Sequence, residues 1–289
     1  MKQWLKYILI FLGLIWFSSC RDKELDMTVM RQTLYEDAVI TAVTAEDAWN
    51  VTIVQDDNRT FVELEYSAFL EEYLQVRMDG QELKIGFSSH LNLPGNTVMS
   101  ATIHTASVQK LCFAEAVTAV LEGDFPATAL AMELKDASTC KGGHFTGRAE
   151  LTLKDASTMV DFTFDGLSCI LEAEDAAVFK GVLNIGESVN IKITEASRMT
   201  TYGGYAPRAN VEVSDASSLN MLETEVEWMN ITVKDSSEAS VFVTGTLEGS
   251  VKSASVLYYQ GNPIVNVDCD DSSTVQPLST FKHQLSTFN

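Results

Sequence analysis

Apolar and polar residues alternate along this chain in a pattern that returns about every 20 residues. Each return is marked by a short phrase. It reads Lys135-Asp136-Ala137-Ser138-Thr139, Lys154-Asp155-Ala156-Ser157-Thr158, Glu174-Asp175-Ala176-Ala177, Thr194-Glu195-Ala196-Ser197, Ser214-Asp215-Ala216-Ser217 and Lys234-Asp235-Ser236-Ser237. The acids stand 19, 20, 20, 20 and 20 residues apart. Weaker copies flank the run at Phe113-Ala114-Glu115-Ala116, Lys252-Ser253-Ala254-Ser255 and Asp270-Asp271-Ser272-Ser273. Two positions before the acid the residue is apolar, as at Leu134, Leu153, Ile193, Val213, Val233 and, in the last copy, Cys269. Four before it stand Met132, Leu151, Leu171, Ile191, Val211, Ile231 and finally Val267, with mostly polar residues between the two sets. This period of two, rich in β-branched residues, predicts a half-buried strand. A further apolar set lies four residues after the acid, running through Cys140, Met159, Phe179, Met199 and Leu219 to Val275.

A fixed period of this length predicts a solenoid, each repeat one coil stacked on the last. The fold class is all-β: a single-stranded parallel β-helix with coils of ~20 residues, right-handed by the general preference of parallel crossovers. Stacked at ~4.8 Å per coil, nine copies make a rod of roughly 40 Å. A coil of ~20 residues has room for three strands of ~5–6 residues with their turns. Alternation carried straight through the Asp-Ala-Ser phrase would bury a column of carboxylates, which is very costly. The phrase is therefore a corner that breaks the alternation and turns the acids outward.

The chain opens with Lys2 and Lys6, then an apolar run over 7–17 too short to span a bilayer as a helix, then Phe17-Ser18-Ser19-Cys20. Small residues directly before a cysteine resemble a bacterial lipobox. That reading makes 1–20 a signal peptide and Cys20 a lipidated first residue that anchors the protein to a membrane. The expected location is the bacterial outer membrane, facing the periplasm or the cell surface. Residues 21–35 read as a tether, 36–105 as N-terminal coils and cap, 106–277 as the regular coils and 278–289 as a tail. Within the cap, strands are expected over 51–54 and 61–66 and a helical turn over 67–74. A hairpin over 75–87 is expected to turn at Asp79-Gly80.

The formal charge is −20, and loss of Lys2 and Lys6 takes it to −22. That excludes nucleic acid as a partner, since such binding needs clustered Lys and Arg. Cys112, Cys140, Cys169 and Cys269 contain no Cys-x-x-Cys pair and fall at scattered places in the repeat, which predicts small apolar residues rather than disulfides. The four histidines, at 90, 104, 144 and 283, show no metal-ligand spacing.

The stretches Trp49-Asn50-Val51-Thr52-Ile53-Val54, Phe61-Val62-Glu63-Leu64 and 74–85 resemble the opening of the GIN-type head domain family, named for predicted autotransporter adhesins of Bacteroidetes-like envelopes. The Asp-Ala-Ser corners resemble that family's Ser-Gly-Ala-Ser phrase, with an acid where Gly is usual. Residues 257–263 resemble its ending. The resemblance covers roughly 40–275 and implies a β-helix. No catalytic residues or cofactors carry over from it.

Three features invite a functional reading. The acidic column Asp136, Asp155, Asp175, Glu195, Asp215 and Asp235 repels itself by roughly 0.9 kcal/mol per neighbouring pair in water. An Asx-type corner, with each carboxylate accepting the N–H two residues on, offsets this. The alternative is a ladder of calcium ions. The serine column at 138, 157, 197, 217, 237, 255 and 273 has no histidine at the same place in the repeat, so it reads as hydroxyls handing hydrogen bonds from coil to coil. The loop Tyr202-Gly203-Gly204-Tyr205-Ala206-Pro207-Arg208 offers aromatic contacts to a glycan or extracellular protein. The register sets Arg208 beside Trp228, an expected cation–π pair. Together these predict a non-enzymatic, lipid-anchored adhesin-like or structural module. The runners-up are a polysaccharide lyase, which needs long insertions to build a cleft, and a cation-dependent scaffold.

Overall fold

The structure is a computed structural model that describes residues 25–278. It is an all-β parallel solenoid of about eight turns. The regular part begins with β8 (Lys110–Phe113), β9 (Thr118–Phe125) and β10 (Leu130–Leu134). Five long strands follow: β11 (Thr139–Leu153), β12 (Thr158–Ala173), β13 (Val178–Ile193), β14 (Arg198–Val213) and β15 (Ser218–Val233). The rod closes with β16 (Glu238–Val251), β17 (Val256–Gln260), β18 (Ile264–Cys269) and β19 (Thr274–Pro277). Every pairing in this part is parallel, and the register links Leu134, Leu153, Ala173, Ile193, Val213 and Val233 in one row.

In place of three separate strands per coil, each central coil is one strand of 15–16 residues running from corner to corner. It bends inside the strand, where the register slips by a residue or more, for example at Gly147 and between Gly166 and Ser168. Gly147 has φ 87°, and a Cβ there would stand 2.0 Å from the Ala127 carbonyl oxygen. The bend thus needs a residue without a side chain.

Inside the rod the expected columns are buried: Leu153, Ile193, Val213 and Val233, then Met132, Leu151, Leu171, Ile191, Val211 and Ile231, then Cys140, Met159, Phe179, Met199 and Leu219. Phe125, Phe145 and Phe162, which the repeat phrase does not announce, build an aromatic stack that joins this last column at Phe179. Phe125 stacks on Phe145 at 5.0 Å, Phe145 on Phe162 at 5.6 Å, and Phe162 meets Phe179 edge-on at 6.1 Å.

The columns weaken at the far end. Val267 and Val275 are half-buried and Cys269 is exposed, against the expectation that Cys269 sits on a core column. β18 pairs only with β16, and β19 only with β17, so one side of this coil has no layer over it among the described residues. The other cysteines are unpaired thiols; burial pushes those of Cys140 and Cys169 up to about 12.

The N-terminal end is built out of sequence order. β1 (Val29–Leu34), β2 (Ala42–Ala45), β3 (Asn50–Gln55), β4 (Phe61–Ser67), β5 (Leu74–Asp79), β6 (Glu82–Phe87) and β7 (Met99–Thr105) form it. β2 lies between β6 and β8, and β3 between β7 and β9, all parallel. The chain therefore makes the second layer first. The outer β6–β7 layer is edged by antiparallel β5 on β6, β4 on β7, and β1 on β4. A strand at Val29–Leu34 lies inside the stretch read as a tether, so ordered structure starts earlier than expected. The hairpin turns at Gly80-Gln81, one residue later than expected, because Asp79 still pairs with Glu82. The helical turn shrinks to a single 3-10 turn at Ala68–Leu70.

Ile193 is fully buried at the middle of its column. Ile193→Asp places an unpaired charge there, a change whose cost of several kcal/mol rivals the whole stability of a domain. No soluble, β-sheet-rich protein is expected on expression. A soluble variant with unchanged circular dichroism and melting would overturn the register.

Candidate functional site

Each corner is a tight turn with two consecutive residues in the left-handed region. At the second repeat Asp155 has φ 52° and Ala156 has φ 59°, and the other regular corners match within about ten degrees. The Ser157 N–H closes the turn on the Lys154 carbonyl at 3.0 Å. Two positive φ values define a type I′ turn, whose usual Asn-Gly or Asp-Gly is here Asp-Ala. The Ala N–H points along the rod and donates to the carbonyl of the next coil's acid, from Ala137 to Asp155, from Ala156 to Asp175 and from Ala176 to Glu195, at 2.7–2.8 Å.

The acids point outward as expected, but the Asx corner is not how they are held. The N–H of Ser138, Ser157 and Ser197 goes to a backbone carbonyl, and that of Ser217, Ser237 and Ser255 to a serine hydroxyl of the next coil; among the described residues the carboxylates of Asp136, Asp155, Asp175 and Asp235 accept no backbone N–H. In the last copy an Asx turn does form, but from the position before the corner acid: Asp270 Oδ1 takes the Ser272 N–H at 3.1 Å. There the Ser253 N–H, with the hydroxyls of Ser273 and Ser272, holds the Asp270 carboxyl down to about 2. Asp215 takes the neighbouring Ser214 hydroxyl at 2.7 Å. Glu195 reaches Asp175, and that contact between two acids pushes the Glu195 carboxyl above its usual range.

The column also starts earlier than the sequence pattern suggested. Asp47 (φ 62°) and Ala48 (φ 58°) form an identical corner, and the Ala48 N–H donates to the Glu115 carbonyl at 2.8 Å. Among the described residues, Asp47, His90 and Glu115 are the one group whose three metal-ligating atoms all lie within 4.8 Å of one another. None of the six acids of the alternative calcium ladder belongs to it.

The serines turn inward and are buried from Ser138 to Ser255, apart from position 177, which is alanine. Ser138 and Ser157 donate to the carbonyls of Phe113 and Leu134 in preceding coils. The hydroxyls of Ser197, Ser237, Ser255 and Ser273 accept N–H groups from the coil before. This is the coil-to-coil relay expected of them, broken at Ser217, whose buried hydroxyl has no partner among the described residues.

Tyr202 and Tyr205 are 52% and 38% exposed. Tyr205 stands at the edge of an open groove of about 530 Å³ with Gly147, Gly166 and Gly186, the apolar Leu167, and Asp165 and Asn184. A Cβ at Gly147 or Gly166 would run into the Ala127 carbonyl or the buried Phe164 ring, and the groove is a shallow, open trough. A polar row leads across it. His144 lies between two aspartates, with Nδ1 2.8 Å from Asp124 Oδ1 and Nε2 2.8 Å from Asp165 Oδ2. Asn184 donates to the other oxygen of Asp165, and the Tyr205 hydroxyl donates to Glu227. Spacings of 20 and 21 residues carry Asp124 to His144 to Asp165. The row was thus visible as another reading of the repeat, hidden because it shares no motif. Arg208 and Trp228 are paired in register as expected. They form no cation–π contact, however; the one found among the described residues is Arg59 over Phe61, at 4.7 Å. Cys20 lies outside the described residues.

The family model for the putative auto-transporter adhesin, head GIN domain, matches residues 40–263. The chain belongs to this family. Solved structures share its fold at low identity. A putative adhesin from Parabacteroides merdae is 11% identical with a TM-score of 0.66, over 87% of this chain and 97% of that one. A putative lipid binding protein from Parabacteroides distasonis is 12% identical with a TM-score of 0.62, over 88% and 98%. A putative adhesin from the same organism is 14% identical with a TM-score of 0.55, over 88% and 98%. A search of curated proteins gives no match. The family's adhesin name supports a cell-envelope or surface role, and no helix among the described residues is long and apolar enough to cross a membrane.

Two predictions come from this geometry. Ala156 sits in a conformation that costs an L-residue about 1–2 kcal/mol, while glycine costs roughly 0.5–1 kcal/mol in unfolded-chain entropy. Ala156→Gly should leave urea stability unchanged or raise it by up to ~1 kcal/mol, and Asp155→Asn should be close to neutral; a loss above ~1 kcal/mol in either sinks the I′ corner. Second, the hydrogen bond that His144 donates to Asp124, then the one it donates to Asp165, together with both charges, raises the His144 pKa against the opposing effect of partial burial. Its contribution is full below the unfolded histidine value of about 6.5 and fades as pH rises through the raised folded value. The gap in melting temperature between wild type and His144→Gln should therefore narrow from acid to alkaline pH. A constant gap would show that the imidazolium contributes nothing.

Proposed function

We propose that this protein is a non-enzymatic binding module of the cell envelope, anchored through a lipidated Cys20, that presents the Tyr205 groove to an extracellular glycan. The observation that carries the reading is that groove, on a rod without inserted loops. Between Asp136 and Asp235 the acids never depart from a spacing of 19 or 20 residues. Nothing there builds the walled cleft that a lyase needs, and the one histidine on the face has both ring nitrogens engaged by aspartates. A sugar ring offers an apolar face and a rim of hydroxyls. Tyr205 and Leu167 suit the face, and Asp165 and Asn184 suit the rim. The shallow trough lets the ring lie against the sheet. Flat grooves of this kind bind weakly singly, and many copies tethered on one surface add avidity.

The test is a glycan and matrix-protein binding screen on residues 21–289, with and without calcium. A glycan hit should weaken at least about tenfold in Tyr205→Ala and in Asp165→Ala, a loss of roughly 1.4 kcal/mol. Hits that are indifferent to both changes would move the ligand off this face. In cells, Cys20→Ser should release the protein from the membrane fraction, and mass spectrometry should find acyl chains on wild-type Cys20. An unmodified Cys20 would remove the anchor from the proposal.

A further inference from the structure

We propose that Asp47, His90 and Glu115 form a binding site for a divalent first-row transition metal of the zinc class, which ties the segment after β6 to the first two corners of the rod. The three residues come from different places in the chain. Asp47 and Glu115 hold equivalent positions on stacked corners, and both are in the left-handed conformation (φ 62° and 54°). The Ala48 N–H to Glu115 carbonyl bond of 2.8 Å fixes one corner against the other. The two carboxylates thus face the same way on a rigid support.

Asp47 is further oriented. Its Oδ2 accepts the Phe87 N–H at 2.7 Å, which leaves Oδ1 turned towards Nδ1 of His90 at 3.9 Å. A backbone donor on the second oxygen of a ligating carboxylate is the usual outer support of a metal site. The 3.9 Å separation is too long for a hydrogen bond. It is close to what an ion needs: ligand atoms around a tetrahedral zinc, each at about 2.0–2.2 Å, are roughly 3.3–3.5 Å apart. With all three atoms within 4.8 Å of one another, a small swing of the exposed imidazole completes the set.

The donor chemistry selects the ion. One imidazole nitrogen and two carboxylates, with water in the fourth place, suit zinc and its neighbours. Calcium takes six to eight oxygens, more than these residues supply. The molecule also holds its own control. Asp175 and Glu195 are a second contacting pair of acids on stacked corners, with no histidine grouped with them. If paired acids alone were enough, that pair would bind as well.

The experiment is calorimetry of tag-free residues 21–289 with zinc after chelator treatment, with visible absorption of the cobalt-substituted protein as a second readout. One ion per chain is expected, with cobalt bands of a four-coordinate nitrogen–oxygen site. His90→Ala and Asp47→Asn should each weaken zinc at least about tenfold. The Asp175→Asn, Glu195→Gln double variant and His144→Gln should bind as the wild type does. His90 is exposed, so its variant remains folded, and a melting curve without metal checks this. The proposal fails if zinc does not bind, if calcium binds equally well, if His90→Ala leaves the affinity unchanged, or if His144→Gln is the change that removes the ion.

Discussion

The structure depends on a hydrogen bond that a corner makes along the rod. A parallel solenoid must turn its chain sharply at the same height in every coil without losing the backbone pairing between coils. Two successive left-handed residues solve both demands. They reverse the chain in two steps, and they rotate the alanine N–H until it points at the carbonyl of the acid one layer on. The local conformation is unfavourable for L-residues, and a turn of this kind would not persist alone. It persists here because each corner is clamped by the next and because the sheets on both sides already fix the spacing.

That arrangement explains why acids and serines behave so differently at adjacent positions. The turn throws the acid out and brings the serine in. Inside, every hydroxyl of the column but that of Ser217 finds a carbonyl or an N–H of the neighbouring coil, so the serine column belongs to the packing. Outside, the backbone of the regular corners has already satisfied itself without calling on the carboxylates of Asp136, Asp155, Asp175 and Asp235. The acids therefore owe their regularity to the turn's tolerance of Asp in the left-handed region, without any demand for their charge. Chemistry arises only where something else approaches the column or the faces: the histidine beside Asp47 and Glu115, and the aspartates that grip His144.

The registers of the long strands were legible because burial imposes a period of two and stacking imposes a period of 20, and few other folds satisfy both. The outward acids and inward serines followed from the cost of burying charge. The hydrogen bonding of the corner did not follow, since Asx and I′ turns draw on the same residues, and only the φ angles separate them. Asp47 escaped notice for a topological reason. It lies 68 residues before Glu115, because the hairpin and its flanking strands intervene. Arg208 and Trp228 show the opposite limit: the register placed their backbones correctly, yet neighbouring positions on a strand do not oblige two long side chains to touch. His90 carried no periodic signal, as its segment belongs to no coil.

The N-terminal layer has a further meaning for how the rod is made. β2 and β3 use both of their edges, one for the outer β6–β7 layer and one for β8 and β9, so the first coil to leave the ribosome is a template read in two directions. Growth on one side stops at once, closed by antiparallel strands. On the other it continues coil by coil, each new layer adding mostly to the one just laid down, until β18 and β19 present Ile264 at 68% exposure and a row of open backbone groups. Among the described residues the rod is thus polar in the manner of a filament, with one end blocked and the other open.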